Sequence, residues 1–340
     1  MKPKIGLLMG DPTGIGPELV VKLLAGFDTH AHADLVVIGD RRVFEMGQQI
    51  AGMPLSPRIV SRFEDVQFGG DTFQLLDYPG VSPREVTLGE VNAKAGKSVL
   101  EVLAFTLDLA RLGHIDAIVF APFNKEALHL GGSPFSDELH FMADRLQCKG
   151  HLSEISVLEN LWTSRVTSHV GLAQVSALIT KQGVYNAIAL IDRALRMAGV
   201  GAPRLAVAAF NPHGGEGGLF GREEIDAIAP AIGRACSEGI QAYGPFPADT
   251  VFLRARDGAF NAVVTMYHDQ GQIAMKLMGF ERGVAVQAGL PVPVTSPSHG
   301  TAFDIAGQGK ANPQGLWQAF VLAGRMAAHH MQVAGKPTGA

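Results

Sequence analysis

Short apolar runs alternate along the chain with longer stretches whose apolar side chains recur every three or four positions. Ile5-Gly6-Leu7-Leu8-Met9 reads as a strand. Pro17 to Phe27 follows as a helix, with proline at the favoured first helical position. Asp34 to Gly39 is a second strand. Lys97 to Leu112 carries Val99, Leu100, Val102, Leu103, Phe105, Leu107, Leu109 and Ala110 at helical spacing. Asp116 to Pro122, Ser164 to His169, Arg204 to Phe210 and Ala262 to Met266 are strand-like, and the last three run into polar loops. This alternation predicts an α/β fold with a mainly parallel sheet. In such sheets ligands bind beyond the carboxyl ends of the strands.

Composition narrows the class. An apolar fraction of 47% with 18% charged residues is that of a globular protein rather than a disordered one. The length suits two domains. A net charge of −4 gives no general attraction to a phosphate backbone, so no nucleic-acid partner is expected. Cys148 and Cys236 lie far apart, which argues against a disulfide framework or a cysteine-based zinc site and for two buried thiols in a reducing compartment. The apolar stretch after Lys4 is too short for a secretory leader, and no run of about 18 apolar residues follows. The expectation is therefore a cytoplasmic protein without a membrane span. The tail after Val333 is expected to fray.

Candidate chemistry collects in loops that follow predicted strands. Gly10-Asp11-Pro12-Thr13-Gly14-Ile15-Gly16-Pro17-Glu18 opens a helix. Such a loop either presents backbone N–H groups to an anion or serves as a structural turn, and it matches neither a Walker loop nor a dinucleotide fingerprint. Three other loops carry histidines: Thr167-Ser168-His169, Asn211-Pro212-His213-Gly214-Gly215-Glu216-Gly217, and Tyr267-His268-Asp269-Gln270-Gly271. Neutral imidazoles suit zinc and other transition ions, and a three-imidazole site leaves a position open for substrate. Asp269 is placed to orient or supplement the set. The last unusual loop runs from Pro297 to Pro313 and contains His299-Gly300-Thr301-Ala302-Phe303-Asp304-Ile305-Ala306-Gly307.

That order resembles the adenosine-binding loop of the isocitrate and isopropylmalate dehydrogenases. From Gly10-Asp11-Pro12 to Lys310-Ala311 the chain resembles the 4-hydroxythreonine-4-phosphate dehydrogenase family of vitamin B6 synthesis. The resemblance is carried by Ala121-Pro122-Phe123-Asn124-Lys125, Asn211-Pro212-His213 with Gly215-Glu216-Gly217-Gly218, Pro247-Ala248-Asp249-Thr250 and Met266-Tyr267-His268-Asp269-Gln270-Gly271. It implies an isocitrate/isopropylmalate dehydrogenase-like fold of two α/β/α domains with a cleft between them. We expect residues 1–128 with 302–340 in the first domain, and 129–301, with the metal ligands and dimer interface, in the second. The family implies NAD or NADP and one divalent ion such as zinc, magnesium, cobalt or manganese. It also implies a homodimer in which His169 and His213 of one subunit share the ion with His268 of the other. His299, Gly300, Thr301, Ala302, Asp304 and Gly307 would bind the cofactor. Lys276 falls on the family's substrate-binding lysine, and Lys276, Asp249 and Asp269 are the candidate catalytic residues.

The resemblance breaks at the substrate phosphate. The family usually has Gly-His-Thr-Glu after Phe-Pro or Phe-Thr. This chain reads Ser136-Asp137-Glu138-Leu139-His140-Phe141, with Glu138 in place of the His and Leu139 in place of the Thr. Ala285 and Val294 replace an Asn and an Arg, so Lys276 alone survives of these positions. A carboxylate and three apolar side chains offer a phosphate no donors. The expected activity is metal-dependent, NAD(P)-linked oxidation, with decarboxylation, of a 3-hydroxy carboxylate without a phosphate, or of a cis-dihydrodiol carboxylate as in terephthalate dihydrodiol dehydrogenase. The alternatives are an orthodox 4-hydroxythreonine-4-phosphate dehydrogenase with a rebuilt phosphate site, a non-catalytic nucleotide-binding protein, and a phosphate acyltransferase of related fold, which would need no metal triad.

Overall fold

The computed structural model describes residues 2–70 and 72–334, and the expectation for the tail lies, from 335 on, outside the described residues. The chain divides into two compact units, Met1–Lys149 with Leu290–Ala340, and Gly150–Gly289.

The first unit contains β1 (Lys4–Leu8), α1 (Gly16–Gly26), β2 (Asp34–Gly39), α2 (Arg41–Ala51), β3 (Arg58–Val60), β4 (Gln74–Asp77), α3 (Ala93–Arg111), β5 (Ala117–Phe120), α4 (Lys125–Leu130) and α5 (Glu138–Arg145). The second contains β6 (Ser153–Leu158), β7 (Leu161–Arg165), α6 (Leu172–Leu178), α7 (Lys181–Met197), β8 (Arg204–Ala208), α8 (Ala229–Ser237), β9 (Gln241–Phe246), α9 (Ala248–Arg256), β10 (Ala262–Thr265), α10 (His268–Gly279) and β11 (Val284–Ala288). The chain then returns to the first unit with β12 (Val294–Pro297) and α11 (Gln314–Ala334).

In the first unit the strand order is β3-β4-β2-β1-β5-β12, parallel throughout. Helices cover such sheets on both faces, so the central strands are apolar at every position. Ile5, Leu7, Val36, Val37, Ile38, Ile118 and Val119 are fully buried. The helix predicted over 97–112 starts four residues earlier, because Asn92 caps it by accepting from the N–H groups of Lys94 and Ala95. The division falls at 149/150 and 289/290, whereas 128/129 and 301/302 were expected. The reason is that α4 and α5 belong with α3: Phe123 and Phe141 pack against Val99, Leu100 and Leu128.

In the second unit the order is β11-β6-β7-β10-β8-β9. Here the expectation of a mainly parallel sheet needs refinement. β7, β10, β8 and β9 are parallel, but β11–β6 and β6–β7 are antiparallel. β6 turns into β7 through Glu159 and Asn160, and Glu159 takes the positive φ of 55° that a two-residue hairpin needs. Leu158, Leu161, Val263, Val251, Phe252, Phe260 and Met275 form a core that seats α9 and α10 on this sheet. The thiols are free. Cys148 is half-buried and Cys236 exposed, which corrects the expectation of two buried thiols. Among the described residues no helix is long and apolar enough to cross a membrane.

α3 meets α4 at Gly96, where an added Cβ would lie 1.8 Å from the carbonyl oxygen of Ala127. Gly96→Ala should therefore destabilise the fold by about 1–3 kcal/mol or more in chemical denaturation. Gly233→Ala, in α8 where a Cβ meets nothing within 4 Å, should stabilise it by about 0.4–1 kcal/mol. Equal effects would show that the α3–α4 contact is loose.

Candidate metal and cofactor sites

The three histidines follow the carboxyl ends of β7, β8 and β10, which are neighbours in the order β7-β10-β8. β7 stops at Arg165, four residues before His169. The loop between them is tied down. Thr167 donates to the Met266 carbonyl through both its N–H (3.1 Å) and its hydroxyl (2.8 Å). Buried Arg165 donates through Nε to Ser168 Oγ at 2.9 Å and through Nη2 to Glu154 Oε1 at 3.2 Å.

His268 is the first residue of α10. Its Nδ1 lies 2.6 Å from Asp269 Oδ1, which holds the ring and leaves Nε2 as the nitrogen that could serve a metal. The rings of His169 and His268 lie 5.9 Å apart within one chain, although the resemblance divides these two between subunits.

His213 sits in a left-handed turn. His213, Gly214, Gly215, Glu216 and Gly217 have φ values of 53°, 70°, 81°, 45° and 67°. Glycine adopts this region freely, so the Gly-rich sequence confines the steric cost to His213 and Glu216. Buried Glu224 anchors the base of the turn. Its Oε1 accepts from the N–H groups of Phe210 (2.8 Å) and Asn211 (2.7 Å), and its Oε2 accepts from Asn211 Nδ2 (2.9 Å). The His213 ring is exposed and lies 6.4 Å from that of Phe220. Among the described residues no group of three His, Cys, Asp or Glu side chains is gathered to hold a metal in one chain, so the expected triad is not assembled there. The other expected second-unit residues, Asp249 in the first turn of α9 and Lys276 on α10, are exposed, and the Lys276 ammonium lies 5.6 Å from the Phe280 ring.

In the first unit much of the Gly10–Glu18 loop is bonded within the protein. The Thr13 N–H and hydroxyl both donate to Asp11 Oδ1, at 2.8 and 2.7 Å. The Gly14 N–H donates to the Asp11 carbonyl at 3.1 Å and the Ile15 N–H to the Thr301 carbonyl at 3.1 Å. These groups are spent inside the protein and offer an anion nothing. Burial pushes the Asp11 carboxyl above its ordinary pKa, against the opposing bonds from Thr13.

What the turn does is seat the His299–Gly307 loop. Lys22 and Glu18 hold the far end of that loop. Glu18 Oε1 accepts from the Ala311 N–H at 2.8 Å and from Lys22 Nζ at 2.7 Å, and Lys22 Nζ donates to the carbonyls of Gly309 and Ala311, each at 2.8 Å. His299 Nδ1 donates to the Gly300 carbonyl at 3.1 Å, and burial lowers the ring's pKa. Thr301 is buried, Gly300, Asp304 and Gly307 are exposed, and Ala302 turns left-handed at φ 44° before the short 3-10 turn Phe303–Ile305. The loop thus has a fixed backbone and an exposed rim, as a nucleotide site requires.

At the expected phosphate position Asp137 caps α5. Its Oδ1 accepts from the His140 N–H at 2.9 Å and pairs with His140 Nδ1 at 2.6 Å. Burial opposes ionisation, but these bonds hold the carboxyl below its ordinary pKa. Glu138 is half-buried and Leu139 buried. Ala285 and Val294 are buried strand residues, paired with Ser156 and Ile118 respectively.

Comparison with known proteins finds relatives that match nearly the whole chain. The family model "Pyridoxal phosphate biosynthetic protein PdxA" matches residues 31–323. A Pseudomonas aeruginosa relative named "Putative 4-hydroxythreonine-4-phosphate dehydrogenase 2" is 50% identical over 96% of this chain and 98% of its own. The crystal structure of 4-hydroxythreonine-4-phosphate dehydrogenase from Klebsiella pneumoniae is 38% identical, covers 96% of this chain and 98% of that one, and superposes with a TM-score of 0.85. A terephthalate 1,2-cis-dihydrodiol dehydrogenase from Burkholderia xenovorans is 29% identical, covers 95% of this chain and 98% of that one, and gives a TM-score of 0.65. The chain therefore belongs to the PdxA family.

Proposed function

We propose that this chain catalyses metal-dependent, NAD(P)-linked oxidation of a 3-hydroxy carboxylate that carries no phosphate, followed by decarboxylation. Family membership makes it an NAD-dependent oxidoreductase. The observation that carries the substrate reading is the cap on α5. Phosphates bind at helix N-termini through unpaired backbone N–H groups and the positive end of the dipole. Here Asp137 already accepts from the helix, its charge is fixed by its bonds to His140, and Glu138 adds a second carboxylate. A phosphate would meet like charge where it needs donors.

In this reading His169, His213 and His268 hold one divalent ion, with ligands drawn from two copies of the chain. A bound ion supplies Lewis acidity, which lowers an alcohol's pKa and offsets negative charge growing on oxygen. Asp269 holds the His268 ring in the ligating orientation. Lys276 offers an exposed ammonium to the substrate carboxylate. Asp249 is a candidate to take the hydroxyl proton; His299–Gly307 would hold the adenosine end of the dinucleotide, which when bound supplies the hydride acceptor. The product ketone is then beta to the carboxylate, which leaves as carbon dioxide.

The shared ion requires a homodimer. Apolar side chains left in solvent on the segments that follow the histidines support one: Leu172 on α6, Leu219 and Phe220 after the His213 turn, and Ile273 and Leu277 on α10, the last 84% exposed.

The specific observation favouring the second reading, a phosphorylated substrate, is the 50% identity to the Pseudomonas relative. Assay against 4-phosphohydroxy-threonine, non-phosphorylated 3-hydroxy acids and cis-dihydrodiol carboxylates decides between them. A higher kcat/KM for the non-phosphorylated compounds is expected, and efficient turnover of the phosphorylated one reverses the conclusion. His213→Ala should abolish turnover and weaken metal binding by more than the roughly 10–100-fold of an outer-shell change. A metal-replete, fully active variant would refute the ligand assignment. Leu277→Glu should shift the protein to monomer in sedimentation and take metal affinity with it, whereas a dimeric variant would place the interface elsewhere.

A further inference from the structure

We infer that Gln287, Glu154 and Arg165 form a specificity site for hydroxyl groups of the substrate, which makes that substrate a polyhydroxylated acid rather than a simple 3-hydroxy acid. The inference rests on the reading that a non-phosphorylated 3-hydroxy carboxylate is oxidised at the histidine edge of the second unit's sheet.

The strand register sets these side chains in one row. Gln287 on β11 is opposite Glu154 on β6. β6 pairs with β7 at Ser156 opposite Thr163, so Glu154 and Arg165, each two residues away, share that pair's face. Arg165 is in turn opposite Thr265 on β10. β6 runs antiparallel to β11 and to β7, so β11, β7 and β10 point the same way. The row therefore crosses the sheet at their carboxyl ends, the edge from which His169 and His268 issue. α10 packs on the same face but further from this edge: Gln272 Nε2 donates to Ser156 Oγ at 2.6 Å, and Met275 packs with Leu158, Leu161 and Val263. The Arg165 side chain is 5% exposed and that of Glu154 33%, so the row is closed at the guanidinium and open at the carboxylate.

The row has hydrogen-bonding capacity that the protein does not use. Arg165 commits two of its five N–H groups, Nε to Ser168 Oγ and Nη2 to Glu154 Oε1. Gln287 is buried, and its Nε2 has no hydrogen-bond partner among the described residues. A buried amide left unpaired is unfavourable, so a ligand that accepts from it gains what the free protein forgoes. Charge decides which ligand fits. Glu154 is paired with Arg165, so an anion would meet a carboxylate beside the guanidinium. Donors on Arg165 and Gln287 flank the acceptor on Glu154. A hydroxyl both donates and accepts, and suits such a row. Two strand intervals span roughly 10 Å, room for more than one hydroxyl.

The test compares kcat/KM of the full-length enzyme, supplied with a divalent ion and NAD(P), for each stereoisomer of 2,3,4-trihydroxybutanoate and for 3-hydroxybutanoate. The second compound has the same carbon chain without the flanking hydroxyls. The best trihydroxy isomer should be preferred at least about 10-fold, because a site built to bond hydroxyls rejects an analogue that leaves its polar groups unpaired. Gln287→Leu should cut that preference about 10-fold, chiefly through KM. It should leave Tm unchanged or raised, since the amide nitrogen has no partner to lose. A Gln287→Leu protein with the wild-type preference would overturn the inference, as would one with a lowered Tm that loses turnover of both acids alike. Should that variant not fold, Glu154→Gln probes the same row: a reduced preference supports the inference, and an unchanged one defeats it. The wild-type enzyme separates the two levels. If it turns over 3-hydroxybutanoate as well as every trihydroxy isomer, only the hydroxyl site fails. If it turns over none of these acids, the reading of a non-phosphorylated 3-hydroxy acid fails and this one with it.

Discussion

The parallel register of β7, β10 and β8 is the constraint on which the candidate metal chemistry depends. Neighbouring strands lie about 5 Å apart, and in a parallel set all carboxyl ends share one edge. Residues remote in sequence, His169, His213 and His268, therefore issue from adjacent points. The ladder places the strand ends but stops short of the rings, at Arg165 opposite Thr265 and Val207 opposite Val264. Past it the backbone is held by single bonds such as the Thr167 N–H to the Met266 carbonyl and the Ala209 N–H to the Phe246 carbonyl. Side chains take over there: Thr167 on Met266, Gln270 between Met266 and Ala209, Glu224 under Phe210 and Asn211.

The same division governs what could be read from the sequence. Strands of the first unit were legible because burial on both faces makes them continuous apolar runs, and the expected 34–39 coincides with β2. β6 and β11 gave no such signal. They carry Ser153, Glu154, Ser156 and Gln287, polar residues that are satisfied in part by groups no local pattern announces, such as Gln272 Nε2 donating to Ser156 Oγ at 2.6 Å. The histidines were legible by type and by their glycine-rich setting. Gln270 stood in the same motif as His268 yet carried no mark of its role, because both its partners are backbone atoms. Glu18 and Lys22 are a similar case: at i and i+4 they read as an ordinary helical pair, but their use lies in the carbonyls of Gly309 and Ala311 and the N–H of Ala311.

The turn that carries His213 shows how much the fold gives up for this site. Left-handed backbone costs about 1–2 kcal/mol for each residue with a side chain, and such strain persists only where surrounding contacts over-determine it. Three glycines in the turn limit that cost to His213 and Glu216. Glu224 supplies the over-determination with three hydrogen bonds from a buried carboxylate. A loop built only to connect β8 to α8 would need neither. The helix start at α5 has been treated differently: Asp137 accepts from the His140 N–H, which stabilises the helix and places a carboxylate there. Strain retained at the proposed metal ligand, and a carboxylate at the helix start, are what a family scaffold would show if it kept its metal chemistry while its substrate changed. The alternative, a rebuilt phosphate site, must find its donors elsewhere, because Ala285 and Val294 are buried in strands with no polar group to offer.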